Sequence, residues 1–120
     1  MESEFEIQQK IKVIEKEIQD ISEQREEYLD EMAKGKRLDL RNKIRQVIKH
    51  LQEEQDKLRE QRLSLNEKLD KYKSVRRYLK ENPTASSSTI ASIIDCDPNL
   101  VIFLRHEMVA CGEISQDKAL

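Results

Sequence analysis

The stretch Ile7 to Ile21, IQQKIKVIEKEIQDI, decides the fold. Ile7, Ile11, Ile14, Ile18 and Ile21 recur at alternating intervals of four and three, and Tyr28 and Met32 continue the stripe beyond Arg25. That interval places every apolar side chain on one narrow strip of a helix, the strip that a coiled coil buries against a neighbouring helix. Charged residues fill the positions between, and no Pro or Gly interrupts, so the pattern predicts one helix over about residues 4–33. Arg25 stands in the strip itself. Either it snorkels past a neighbouring helix, or it is a buried polar partner that fixes register.

A second seam follows in another phase. Ile44, Leu51, Leu58, Leu65, Tyr72 and Leu79 stand seven apart, with Leu40, Val47, Ile48, Leu69 and Val75 at the alternate positions. Continuing the first seam by sevens from Met32 reaches Asp39 and Gln46, not Ile44, so the phase is lost between them. The break falls at Ala33-Lys34-Gly35-Lys36, and Gly is common just past a helix end because it tolerates positive φ. A second helix is expected over about residues 37–81. Two arrangements satisfy this pattern: a turn near residue 35 that folds the helices into an antiparallel hairpin, or one long helix pairing in parallel with a second chain.

Charge favours the hairpin. Residues 1–33 hold eleven acids against four bases, and residues 34–49 hold seven bases against one acid. A hairpin lays the acidic helix beside the basic start of the next, whereas a parallel in-register dimer sets like beside like. The basic stretch could also track phosphates, as basic-region helices do, but an acidic partner in the same chain is the simpler reading. Two helices cannot cover their own seams, so a homo-oligomer is expected, with Ile7, Ile11, Ile14, Ile18, Ile21, Ile44, Leu51, Leu58 and Leu65 as its interface.

Composition agrees with long solvated helices. Of the 120 residues 38% are charged and 4% aromatic, with no Trp, which leaves little material to wall a deep pocket. No apolar run reaches the roughly 20 residues of a membrane helix. The start, Met-Glu-Ser-Glu, lacks the order of a signal peptide, and Cys96 and Cys111 have no CxxC spacing, so a reducing cytoplasmic setting is expected. His106 with the two cysteines makes a poor zinc set, and no Ser-His-acid group, phosphate loop or carboxylate pair is evident. The expectation is a protein without catalytic site, cofactor, metal or small-molecule substrate.

The character changes near Tyr78, dividing residues 1–73 from 74–120. Asn82-Pro83 should end the long helix. A polar stretch, Thr84 to Ser88, suits a turn and N-cap before a short helix over about 88–94. Asp97 and Pro98 then read as N-cap and first position of a helix running to about 110, ended by Cys111-Gly112, with a short strand possible at Glu113-Ile114-Ser115. The string Tyr78-Leu79-Lys80-Glu81-Asn82-Pro83, followed by Ile90-Ala91, Val101, Met108, Gly112 and Ile114, resembles a bacterial winged helix-turn-helix DNA-binding domain over roughly residues 72–115. The whole chain is then all-α: long coiled-coil helices carrying a small helix-turn-helix, or truncated winged-helix, head.

The resemblance implies an oligomeric DNA-binding protein, a regulator or DNA-organising type, with Arg76, Arg77, Lys80, Ser87, Ser88, Asn99, Arg105 and His106 on phosphates and bases. The departures point elsewhere. The would-be recognition helix is apolar: with Val101, Leu104 and Met108 facing the core, Leu100, Ile102 and Phe103 include outward positions, and only six residues follow Ile114. An outward Leu100/Phe103 face suits an adaptor or scaffold that grips another protein. A structural filament with no nucleic acid is the remaining class.

Overall fold

The computed structural model describes residues 1–35 and 38–114 and is all-helical among them. Four helices follow in order: α1 (Glu4–Lys34), α2 (Leu38–Glu81), α3 (Ser87–Ile94) and α4 (Pro98–Ala110). None is long and apolar enough by itself to cross a membrane. Packing divides the chain into two compact units, Gln8–Asn66 and Met1–Ile7 with Glu67–Leu120. The sequence suggested a division at 73/74. In the structure the first seven residues group with the C-terminal segment, held by bonds from Lys68 and Tyr72 to Glu2 and from Arg76 to Glu4.

In the unit of residues 8–66, Ile11, Ile14, Ile18 and Ile21 of α1 are buried, as are Ile44, Leu51 and Gln55 of α2. Early residues of α1 meet late residues of α2. Gln9 to Ile14 share a groove with Gln61 to Leu65, and Glu17 to Ile21 share the next with Glu54 to Gln61. Two expected seam positions are not inside: Leu40 is 48% exposed and Val47 38%. The inward positions of α2 are instead Ile44, Leu51, Leu58 and Leu65 with the residues four later, Ile48, Gln55, Arg62 and Leu69, all buried or half-buried. The strip therefore carries a buried amide among its apolar side chains. Gly35 does not adopt the left-handed conformation expected of it; among the described residues only Asp95 and Gly112 have positive φ. Its N–H still bonds Glu31 O at 2.9 Å, and a Cβ would stand 3.2 Å from that carbonyl. Close approach, not φ, is what favours glycine here.

In the other unit, Tyr72, Val75 and Leu79 of α2 are buried, as are Ile90, Ala91, Leu100, Val101, Leu104, Met108 and Ile114. α2 ends at Glu81, before Pro83. The Ser86 side chain accepts from Thr89 N to cap α3, and Asp97 accepts from Asn99 N at 2.9 Å to cap α4, with Pro98 at the first position. α3 closes on a left-handed Asp95, φ 62°, and its open end is further held by Lys71, whose Nζ donates to Ile94 O (2.8 Å) and Asp95 O (2.9 Å). α4 closes on Gly112, φ 76°, with Glu113 N donating to Met108 O and Gly112 N to Val109 O, the paired bonds of a Schellman ending. Glu113 and Ile114 form a bend, not a strand; Ser115 lies outside the described residues. The direction of the chain turns by 117° from α3 to α4.

Candidate functional site

Of the residues expected to meet nucleic acid, two arginines are engaged inside the fold. Arg105 is 7% exposed. Its Nη1 donates to Pro83 O at 2.7 Å and its Nη2 to Ala85 O. The planar fork thus ties the α2–α3 connection to α4, a geometry that arginine matches and lysine does not. Burial pulls this guanidinium below its ordinary pKa. The sequence assigned Arg105 to bases; α4 turns it inward because Val101, Leu104, Arg105 and Met108 share its buried side.

Arg76 is surrounded by carboxylates. Its Nε pairs with Glu4, its Nη1 donates to Glu113 Oε2 at 3.0 Å, and its Nη2 stands 3.2 Å from Glu107 Oε2. Burial works against the charge, but the Glu4 hydrogen bond and the charges of Glu4, Glu107 and Glu113 prevail, and the pKa is raised. Beside it, Tyr72 donates its hydroxyl to Glu2 O, and Lys68 pairs with Glu2 at 3.2 Å. These bonds fasten the first residues of the chain to α2. The sequence signalled the partners only as an acidic N-terminus and scattered late bases.

The remaining candidates are open to solvent. Arg77, Lys80, Ser88, Asn99 and His106 are exposed, and Ser87 is half-buried. The apolar face differs from expectation: Leu100 is 7% exposed and belongs to the core, Phe103 is half-buried, and the outward residue of α4 is Ile102, 44% exposed. On α3, Ile93 is 59% exposed. Exposed Asn99, Ile102, His106 and Ala110 lie along one side of α4, an apolar spot within a polar border.

Most of the expected seam residues are already buried in the single chain. Ile7, Ile11, Ile14, Ile18, Ile21, Ile44 and Leu51 are buried, while Leu58 and Leu65 are half-buried. At its middle, Gln55 is fully buried and donates from Nε2 to Ile18 O (3.0 Å) and Ser22 Oγ (2.6 Å), while its Oε1 accepts from Arg25 Nη1 (2.8 Å). Arg25 is thus the polar partner in the seam, and Gln55 is the residue that sequence reasoning missed. The signal was there: Ile48, Gln55, Arg62 and Leu69 stand seven apart.

Cys96 is half-buried and Cys111 exposed, both as free thiols, and burial pushes the Cys96 thiol up, away from the reactive thiolate. Among the described residues no group of three His, Cys, Asp or Glu is placed to hold a metal ion. No protein family, curated protein or solved structure matches this chain.

Proposed function

We propose that the chain is a non-enzymatic adaptor of the cytoplasm. In this reading α1 and α2 form an antiparallel coiled-coil hairpin. The end of α2, α3 and α4 form a helix-turn-helix unit, and the outward side of α4, around Ile102, grips another protein. The 117° turn across the three-residue link between α3 and α4 supports the helix-turn-helix assignment, since such pairs cross at about 90–120°. The observation that carries the adaptor reading is the state of the arginines. Arg105 is buried on backbone carbonyls and Arg76 is neutralised by glutamates, so the two strongest candidates for phosphate or guanine contact are engaged elsewhere.

The DNA reading retains exposed Arg77 and Lys80, with Ser88, Asn99 and His106. Titration of the purified chain with random duplex DNA separates the two. The adaptor reading expects no binding even at low salt. Binding that weakens steeply with salt, and disappears in the Arg77→Ala, Lys80→Ala double variant, would replace it with the DNA reading.

A further inference from the structure

The two grooves of the 8–66 unit, of 580 and 510 Å3, are the same groove one heptad apart. Lys10, Val13 and Ile14 line the first, and Glu17, Asp20 and Ile21 stand at the equivalent places in the second. On α2, Gln61, Ser64 and Leu65 are replaced by Glu54, Lys57 and Leu58. The repeat continues beyond the grooves. Sevens from Gln61 and Glu54 reach Val47 and Leu40, two of the three large apolar residues of α2 that stand exposed, Leu63 being the third. Sevens from Asp20 and Glu17 reach Glu27 and, one step further, Glu31; fourteen back from Lys57 reaches Lys43. One side of the helix pair thus has an apolar floor with a bank on α1 that is acidic from Glu17 onward, Lys10 preceding it, and a bank on α2 that carries Lys43 and Lys57, with Glu54 between them. Glu17, Asp20, Glu27, Glu31, Lys43 and Lys57 are all exposed. Among the described residues they form no ion pair, whereas Glu54 is already matched to His50 at 3.0 Å.

We infer that this side is the contact between two copies of the chain. A two-fold axis parallel to the helices sets α1 of each copy over α2 of the other. The acidic bank then meets the basic bank twice, Glu27 and Glu31 near Lys43, Glu17 and Asp20 near Lys57. The floors of Ile14, Ile21, Leu58 and Leu65 close on each other as the core of a four-helix bundle. An axis perpendicular to the helices would lay acids on acids, so charge selects the first arrangement. The contact stands whether α4 takes a protein or DNA.

Sedimentation equilibrium of the full chain tests it. The expected species at micromolar concentration has twice the 14.2 kDa chain mass. Val47→Glu, on the exposed wall of the strip, should raise the dimer Kd about tenfold or more with helix content unchanged by circular dichroism. A chain carrying Glu17→Lys and Asp20→Lys, and another carrying Lys57→Glu, should each self-associate about tenfold more weakly, and mixing the two should restore a tight dimer. A single-chain mass throughout, or a Val47→Glu variant that dimerises as the parent does, overturns the inference. So does a mixture no tighter than its components. An unchanged Kd for the Lys57→Glu chain overturns the orientation.

Discussion

Arg25 Nη1 donates a 2.8 Å hydrogen bond to Oε1 of Gln55, a fully buried side chain in the middle of an isoleucine seam. The same amide spends its hydrogens on Ile18 O and Ser22 Oγ. A buried amide satisfied on both ends belongs in only one register, since sliding α2 by one heptad strands it against Ile11 or Arg25 without those partners. Polar layers of this kind specify pairing at a cost in stability.

Gln55→Ala should therefore destabilise the chain by about 2–3 kcal/mol, because it leaves a cavity and strips the partner from Arg25 and Ser22. Gln55→Leu should hold stability to within about 1 kcal/mol yet relax the register, since the apolar replacement fits any layer of the seam. Urea unfolding gives the first comparison. Amide NMR spectra give the second: one set of resonances for the parent and more than one for Gln55→Leu. A single sharp set for Gln55→Leu would show that the isoleucine spacing alone fixes the pairing.

Arg105→Ala should cost about 2–3 kcal/mol of stability, the scale of charged hydrogen bonds lost from buried carbonyls. Arg105→Lys should recover only part of it, because a single ammonium cannot reach Pro83 O and Ala85 O with the geometry of the fork. Thermal melts followed by circular dichroism test both. A variant that melts with the parent would return Arg105 to the surface and to the list of nucleic-acid contacts.

These two residues also mark what the sequence could and could not tell. Helix limits were legible, because Asp97-Pro98, Asn82-Pro83 and Gly112 act through local backbone chemistry. The isoleucine strip of α1 was legible from period alone. On α2, residue type favours Leu40 and Val47 as inward, but position governs: a glutamine at the inward position outranks a valine one step outside it. The orientation of α4 was misread for the related reason that its sequence is apolar nearly all round. Helical spacing alone then does not say whether Leu100 or Ile102 faces the core. An arginine that caps carbonyls of a distant connection leaves no local trace at all, and neither does the pairing of Arg76 with Glu4 across 72 residues.

Tyr72 gives a pH-dependent signature. Burial raises its pKa above the ordinary 10.0, and the charges of Glu2, Glu4, Glu107 and Glu6 add to the rise. The folded chain then holds the phenolic proton more tightly than the unfolded one. The stabilisation is complete below about pH 9 and is lost as pH rises through the folded value. Tyr72→Phe removes the bond to Glu2 O and should cost about 1 kcal/mol at neutral pH. It should also flatten the alkaline decline, so that the gap between parent and variant starts to narrow near the ordinary 10.0 and closes only above the raised folded value. Urea unfolding from pH 7 to 11 measures the difference; parallel curves would mean that the hydroxyl is not coupled to folding.

The facing of α4 predicts a graded series along three neighbouring apolar residues. Leu100 is 7% exposed, Phe103 half-buried and Ile102 44% exposed. Truncation to Ala should cost about 2–4 kcal/mol at Leu100, where atoms leave a packed site and a cavity remains. At Ile102 it should cost under about 1 kcal/mol, because much of the side chain already meets water. Phe103 should fall between. The order matters for function. A residue that stabilises the fold is retained for that reason alone, but a large apolar side chain that contributes little to folding and stands between Asn99 and His106 is available to a partner. Equilibrium unfolding of the three variants decides it. If Ile102→Ala costs as much as Leu100→Ala, Ile102 is core, α4 presents no apolar spot, and the adaptor reading loses the surface on which it stands.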